Sequence, residues 1–355
     1  MDDVARAAGV AKATVCRALQ NRPVVAKATR ERILKAAREL GYQADPSLSA
    51  LSQRRWSDGG KRTYRQVALV HYESKKYLDK YAETPNEERY RLSPRALLFP
   101  AAKEKAKLLG YQISEYSTSD YKNSEQLSRI LYNRGIDGLL LSIEGPISKI
   151  ELPWERFSAI AIGLGLDEYN LPHVSSDWMS AVSLAVQKAK ERGYRRIGFI
   201  KLVHENPSID FRISSAIEFQ RHGLESQFAN RIPTLSGQRE DFNPWQDWIP
   251  VFKEWYDRWK PDVVVDGTHC ASHWFKTIGV KVPEECAIVA IDRTNHEDHK
   301  HISYVDHNYA AQGEWAMEFL STMIQNSVKG QTDIPPRLTL PCTWQEGSTL
   351  PPKQL

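Results

Sequence analysis

The sequence predicts an α/β protein that carries a small all-α head at its amino terminus. Two observations predict it: short apolar runs alternate with helical stretches after residue 62, and three short amphipathic helices fill the first 46 residues. With 355 residues, the chain also exceeds the roughly 100 to 200 residues of one domain. We therefore expect two or three structural units.

The head is predicted as three helices over 2–8, 12–19 and 27–40. Gly9 supplies the backbone freedom of a tight turn, and Gly41 follows the third helix where a left-handed residue is favoured. The apolar residues recur at helical spacing and are expected to face inward: Val4, Ala5, Ala8, Val15, Ala18, Leu19, Ile33, Leu34, Ala37 and Leu40. A helix-turn-helix followed by a third helix is the expected arrangement.

The outward residues of the second helix and its flanks are polar or basic: Lys12, Thr14, Arg17, Asn21 and Arg22. Residues 1–62 hold 13 Lys and Arg against 6 Asp and Glu, whereas the whole chain has a net charge of only +4. Such an asymmetry is typical of a head that binds a polyanion, because basic residues gain binding free energy from counterion release only where they contact the phosphates. The alternative is a three-helix bundle with a merely structural role.

A connecting segment is predicted between the head and the rest of the chain. Residues 47–55 form a short amphipathic stretch with Leu48 and Leu51 on one side, and 56–62 have the composition of a linker. The domain boundary is therefore expected near residue 60.

The body is predicted to contain buried parallel strands at 67–71, 111–116, 138–143, 159–163, 197–201, 263–265 and 288–291. Helical stretches alternate with them at 97–109, 124–134, 178–192, 212–228, 246–259 and 270–278. Counting strands leaves two architectures open, one barrel or two stacked doubly wound subdomains.

Composition excludes several classes of protein. The chain is 41% hydrophobic and 26% charged, which is typical of a globular protein. No apolar stretch approaches the roughly 18 residues of a membrane span, and no signal peptide is visible, so a cytoplasmic protein without a membrane partner is expected. Its four cysteines are too far apart in sequence to suggest a disulfide framework or a zinc site.

The stretch between Asp3 and Tyr42, DVARAAGVAKATVCRALQNRPVVAKATRERILKAARELGY, resembles the DNA-binding head of the lactose-repressor (LacI/GalR) family of bacterial transcription regulators. Weaker similarity continues to about Gly347, through VSSD, RGYRRIGF, FRI, PDVVV and GVKVPEECAIVAID. The resemblance implies a head over 1–46, a hinge helix and linker over 47–61, and a periplasmic-binding-protein-like body over 62–347. The implied N-subdomain covers about 62–170 and 303–325, and the C-subdomain about 171–302 and 326–347.

The resemblance also implies how the head would bind DNA. Lys12, Ala13, Thr14, Arg17 and Asn21 would contact the operator, with Arg17 presenting its guanidinium to guanine in the major groove. Leu51 would wedge into the minor groove, or else pack on the body. One departure is Ala11, which stands where the family has a Ser; its loss as a helix cap should cost about 1 kcal/mol.

Asp177, Arg212 and Asp292 match the family's positions for contacts to a small polar effector, although each could be a structural ion pair. Trp274 is a candidate for stacking on the ligand. The family's Asn-Asp pair after the strand ending near Val265 is not visible, and Asp266, Thr268 or His269 occupies that region. The insertion at 72–95 is expected to be either a lid over the cleft or a surface loop.

Histidines cluster in NHEDHKHISYVDH, at His296, His299, His301 and His307. They suggest a zinc site, but the spacing lacks the helical HExxH geometry, so solvated side chains and no metal are expected.

Taken together, these features predict a homodimeric regulator, a repressor rather than an enzyme, without cofactor, that binds a pseudo-palindromic double-stranded DNA operator and a carbohydrate effector. The alternatives are a metal-dependent α/β hydrolase with a DNA-recruiting head and a solute-binding protein.

Overall fold

The structure is a computed structural model, and it describes residues 2–19, 25–40, 65–72, 95–143, 150–163, 169–203, 207–228, 232–238, 245–292 and 301–353. Several predicted features lie outside these residues: Asn21, the hinge segment 47–61 with Leu51, residues 73–94 of the insertion, and His296 and His299. They stay predictions.

The head folds as the sequence predicts. Its helices are α1 (Asp2–Ala7), α2 (Lys12–Leu19) and α3 (Lys27–Glu39). Gly9 takes φ +61° in the turn before α2, a left-handed conformation that favours glycine. A core joins the three helices: Val4, Ala5, Ala8, Val15, Ala18, Val25, Ile33, Ala36 and Ala37.

Two predicted core residues of the head are exposed instead. Leu34 is 37% exposed and Leu40 is 51% exposed. Ile33, Ala36 and Ala37 form the inner face of α3, so that Leu34 is turned about 100° away from Ile33. Leu40 follows the last helical residue as the C-cap and is not held against the bundle.

The body alternates strands and helices in chain order. They are β1 (Arg65–Tyr72), α4 (Arg95–Leu108), β2 (Tyr111–Ser117), α5 (Ser124–Asn133), β3 (Gly138–Ile143), β4 (Ser158–Ile162), β5 (His173–Ser176), α6 (Trp178–Glu191), β6 (Ile197–Val203), α7 (Pro207–Phe228), β7 (Leu235–Gln238), α8 (Ile249–Trp259), β8 (Val263–Gly267), α9 (Ala271–Ile278), β9 (Ala287–Ala290), β10 (Ser303–Asp306), α10 (Tyr309–Gln325), β11 (Arg337–Leu340) and β12 (Thr343–Gln345). None of the described helices is long and apolar enough to cross a membrane.

The strands form two sheets, so the doubly wound alternative is the observed one. The first sheet has the order β11-β5-β4-β3-β1-β2 and is parallel throughout. The second has the order β12-β10-β9-β8-β6-β7, in which β12 alone pairs antiparallel. We call them the N-sheet and the C-sheet.

Helices cover both faces of each sheet. On the N-sheet, α4 and α10 pack on one face and α5 packs on the other. On the C-sheet, α6 and α7 cover one face while α8 and α9 cover the opposite face. The helices α4 and α10 cross closely at Gly313, where a Cβ atom would overlap the carbonyl oxygen of Leu98.

The chain passes between the two sheets three times in the described strands, at 176–178, 306–309 and 340–343. We call these segments the first, second and third crossover. Their positions correct the predicted subdomain boundaries: β5 and β11 belong to the N-sheet, and β10 belongs to the C-sheet. The reason is that each crossover follows the end of a strand, whereas the predicted boundaries fell before 171, 303 and 326.

Candidate functional sites

The outer surface of α2 presents the residues predicted to contact DNA. Lys12, Ala13 and Arg17 are exposed, and Thr14 is half-buried. Arg17 makes no hydrogen bond or ion pair with another described residue, so its guanidinium is available to a partner. The Lys12 ammonium bonds the Asp2 carboxylate at 2.8 Å, and this bond lowers the pKa of Asp2.

Two contacts fix how α2 and α3 sit in the head. The Lys12–Asp2 bond joins the first turns of α1 and α2, and Arg32 Nε on α3 donates to the Ala8 carbonyl at the end of α1, at 3.0 Å. Ala11 precedes α2 and offers no side-chain acceptor to the first amides of the helix; its carbonyl accepts from Thr14 N at 2.8 Å. Ala11 therefore gives α2 no side-chain cap, as the sequence predicts.

A second candidate site lies where the carboxyl ends of the two sheets' parallel strands face each other. The first crossover leads from the end of β5 into α6, and Ser176 at the end of β5 lies 2.7 Å from His307, which follows β10 of the C-sheet. The second crossover leads likewise from the end of β10 into α10. Ligands of doubly wound folds bind at such carboxyl edges, and we call the space between these edges the cleft.

Asp177 follows the end of β5, and Asp292 follows the end of β9. Asp177 is the N-cap of α6, where its Oδ1 accepts from Met179 N and Ser180 N, both at 3.1 Å. Asp292 follows β9, and its Oδ2 accepts from the Tyr309 hydroxyl at 2.8 Å. Asp177 Oδ1 is therefore engaged in capping α6. Asp292 lies at the end of β9, a central strand of the C-sheet.

The thiol of Cys342 in the third crossover lies 3.5 Å from the Asp177 carbonyl oxygen and 3.6 Å from Nδ1 of His307, and His307 Nε2 lies 2.9 Å from the Ile291 carbonyl oxygen just after β9. Four segments therefore meet at one place: the three crossovers and the end of β9. Burial, and after it the negative charges of Asp177, Asp292 and Asp306, raises the pKa of Cys342 from its ordinary 9.0 to about 12.

Arg212 lies on the first turns of α7 and is half-buried, without a hydrogen bond or ion pair to another described residue. A buried ion pair fixes the same turns to β6: Lys201 Nζ bonds Asp210 Oδ1 at 2.6 Å and Ser214 Oγ at 2.7 Å. Lys201 is 8% exposed. The structure thus places at the carboxyl edge of the C-sheet a guanidinium that no described carboxylate pairs with.

Trp274 does not line the cleft in this conformation. Its side chain is fully buried, and its ring centroid lies 5.1 Å from that of Phe252 in the core between the C-sheet and helices α8 and α9. Of the predicted effector residues, Trp274 alone is in a core. Trp255 is buried and Trp248 and Trp259 are partly buried in the same cluster.

The region after Val265 holds a helix cap. Asp266 is buried, and its carboxylate accepts from Thr268 N and Oγ1, both at 2.7 Å, and from Ala271 N at 3.2 Å. His269 follows with φ +61°, and its Nδ1 is buried without a hydrogen-bond partner among the residues that the structure describes. Asp266 and Thr268 are thereby engaged in starting α9.

His307 is not the solvated side chain that the sequence predicts. It is fully buried at the second crossover, whereas His301 is exposed. Sequence reasoning missed it because β10, the strand that precedes it, was assigned to a polar loop. Within the described ranges, no three His, Cys, Asp or Glu side chains converge as metal ligands.

Comparison with known proteins matches both the head and the body of the chain. Residues 1–45 match the family model of bacterial regulatory proteins of the lacI family, and residues 186–350 match that of periplasmic binding protein-like domains. The HTH-type transcriptional regulator TreR of Salmonella typhimurium is 30% identical over 207 residues, which are 58% of this chain and 57% of TreR. The match therefore spans little more than half of that relative's length.

Two solved structures share the fold over almost the whole chain. The transcriptional regulator CelR in complex with cellobiose has a TM-score of 0.58 at 20% identity, covering 98% of both chains. The lac repressor dimer bound to operator and the anti-inducer ONPF has a TM-score of 0.56 at 16% identity, again over 98% of both. The chain thus joins a head that matches the lacI family of bacterial regulatory proteins to a body that matches periplasmic binding protein-like domains.

Proposed function

We propose that the protein is a sequence-specific DNA-binding transcription regulator, a repressor, which acts in the cytoplasm as a homodimer on a pseudo-palindromic operator. The observation that carries the proposal is the surface of α2, where exposed Lys12, Ala13 and Arg17 stand beside half-buried Thr14. One head presents a single recognition helix, so two heads are needed to read two half-sites. The solved lac repressor dimer was bound to operator, which supports this arrangement.

The named relative and both solved neighbours are transcription regulators by name. This favours a regulator over the hydrolase and the solute-binding protein, the two alternatives that the sequence left open. The head's excess of basic residues argues further against the solute-binding protein, which requires no phosphate-binding surface.

Selection of bound sequences from random double-stranded DNA, followed by footprinting with the full chain, tests the proposal. We expect two symmetric half-sites and an affinity that falls steeply with salt, by a slope of about −0.9 for each phosphate neutralised. Binding to one asymmetric site as a monomer, or an affinity independent of salt, would contradict the proposal.

Arg17→Ala and Arg38→Ala make a matched pair for the recognition surface. Both remove one positive charge from the head, but Arg38 lies on α3, where its Nε donates to the Leu34 carbonyl at 3.3 Å. Arg17→Ala should relax the preference at one base pair in each half-site, by about 1 to 3 kcal/mol for a bidentate guanine contact. Arg38→Ala should leave every base preference unchanged. Equal effects of the two variants would show that Arg17 contributes charge only.

For the body we propose a small polar effector, of the carbohydrate class, bound in the cleft and changing DNA affinity. Arg212 and Asp292 would contact it, because a guanidinium and a carboxylate at the same carboxyl edge of the C-sheet suit ligands rich in hydroxyl groups. Asp177 would contribute mainly as the cap of α6, and Trp274 would need to leave its core position to stack. The cellobiose bound to CelR supports the choice of ligand class.

Calorimetry of the full chain against a panel of mono- and disaccharides that includes cellobiose tests the effector site. Arg212→Ala should abolish binding of any ligand found. Arg221→Ala on the same helix is the control, because the Arg221 guanidinium is paired with the Glu218 carboxylate at 2.7 Å, more than two turns away. A ligand whose affinity ignores both Arg212 and Asp292 would refute the assignment of the site and leave the DNA-binding proposal standing.

A further inference from the structure

The three crossovers meet at the imidazole of His307, which is 0% exposed. Its Nδ1 lies 2.7 Å from Ser176 Oγ in the first crossover, and its Nε2 lies 2.9 Å from the carbonyl oxygen of Ile291, just after β9. Cys342 of the third crossover places its sulfur 3.6 Å from Nδ1. One side chain thus touches the first and third crossovers and the end of a central strand from its own position on the second.

The partners of His307 determine its tautomer. A carbonyl oxygen can only accept, so Nε2 carries the proton that is donated to Ile291. In the neutral ring Nδ1 is then an acceptor, and the Ser176 hydroxyl donates to it. The bonding therefore requires one donor and one acceptor in fixed positions, which only some side chains can supply.

Aromatic rings on both sides hold the imidazole in place. The Trp178 ring, at the start of α6, has its centroid 4.1 Å from that of His307, and the Tyr309 ring, at the start of α10, stacks on it at 5.8 Å. The Tyr309 hydroxyl also donates to Asp292, whose Oδ1 lies 4.0 Å from His307 Nε2. The ring is consequently fixed against helices of both subdomains.

Further bonds join the crossovers directly to one another. Asp177 N donates to the Leu340 carbonyl at 3.1 Å, and Asn308 Nδ2 donates to the Pro341 carbonyl at 2.8 Å. Asn308 itself takes φ +54°, a left-handed conformation that asparagine tolerates better than most residues. The crossovers are thus a bonded unit, and His307 is its buried centre.

We propose that His307 is a positioning residue of the three crossovers. Through its two hydrogen bonds it holds the crossovers and the end of β9 in one arrangement, and so sets the angle between the subdomains. The inference does not depend on which ligand the cleft binds. Because Asp292 lies beside the same ring, a change at the carboxyl edge of the C-sheet is transmitted to all three crossovers together.

Hydrogen–deuterium exchange of the full chain without ligand tests the proposal, read from peptides that span 173–180, 303–312 and 337–345. His307→Phe keeps a ring between Trp178 and Tyr309 but removes both hydrogen bonds. We expect exchange in all three peptides to accelerate by about tenfold or more, because a buried donor and acceptor lose their partners. His307→Gln restores one donor and one acceptor and should keep exchange within about twofold of the unchanged protein.

Ser176→Ala provides the same test with almost no change in volume, and Ser128→Ala is its control, since Ser128 is also buried but lies on α5 away from the crossovers. Ser176→Ala should accelerate exchange in all three peptides, including 337–345, which is distant in sequence, and Ser128→Ala in none. Acceleration confined to the mutated segment, or equal exchange in His307→Gln and His307→Phe, would overturn the proposal. Neither result would affect the proposed DNA binding.

Discussion

The ion pair between Lys201 and Asp210 should make a large contribution to the stability of the C-subdomain. Lys201 Nζ bonds Asp210 Oδ1 at 2.6 Å and Ser214 Oγ at 2.7 Å, and the side chains of the pair are 11% and 24% exposed. Removing one partner of a buried pair costs about 3 to 5 kcal/mol, because the other charge stays buried and uncompensated. The Asp210 carboxylate retains some solvent and the Ser214 hydroxyl, so we expect Lys201→Met to lower the free energy of unfolding by about 2 to 3 kcal/mol.

Urea unfolding of the full chain, followed by tryptophan fluorescence, measures this loss. Lys253→Met is the control, because Lys253 forms an exposed pair with Asp257 on α8 and its removal should leave the transition unchanged. In the double variant Lys201→Met, Asp210→Leu no charge remains buried, and the combined loss should be smaller than the sum of the two single losses by at least about 1 kcal/mol. Additive losses, or a Lys201→Met transition that matches Lys253→Met, would refute the reasoning.

Three further predictions concern the head, the N-subdomain and the third crossover. Ala11→Ser should stabilise the head by about 1 kcal/mol in thermal unfolding, because the new hydroxyl can accept from the amide of Thr14. Gly313→Ala should lower the free energy of unfolding by about 1 to 3 kcal/mol, measured in urea, since its Cβ would overlap the Leu98 carbonyl and α10 must move away from α4. Because the pKa of Cys342 is raised to about 12 in the folded protein, its contribution to the free energy of unfolding is fully present below pH 9.0 and is lost as the pH rises toward about 12. The raised pKa also keeps this thiol protonated at pH 8, and the thiolate is the reactive form. Alkylation of Cys342 at pH 8 should therefore be far slower in the folded protein than after unfolding.

The long, strongly apolar elements of the body could be predicted from the sequence alone. The strand predicted over 138–143 has those bounds in the structure, and the one predicted over 67–71 extends to 65–72. Buried parallel strands have continuous apolar runs that need no partner to be recognised. The helix α2 could also be predicted over 12–19, from its amphipathic pattern and from the turn at Gly9.

Five short strands were not predicted: β5, β7, β10, β11 and β12. Each has three or four residues and a mixed sequence, such as HVSS in β5 and RLTL in β11. Their strand conformation depends on pairing with neighbours that are distant in the chain, as β11 pairs with β5, and local periodicity carries no trace of that pairing. The helix α10 was missed as well, and with it the way in which the subdomains exchange segments.

These omissions explain what could and could not be predicted about the cleft. Asp177 and Asp292 were predicted because they match positions of the family resemblance, and Asp292 also follows the predicted strand 288–291, where a polar residue lies at a carboxyl edge. The same rule applied to Ser303–Asp306 would have placed His307 at that edge, but without β10 as a strand His307 was counted with its neighbours as one of four solvated histidines. The signal was present in the alternation of SYVD, whose Ser303 and Val305 are fully buried. Since the contacts of His307 come from the three crossovers and β9, its role follows from topology, and a sequence pattern can indicate it only after every strand that ends there has been identified.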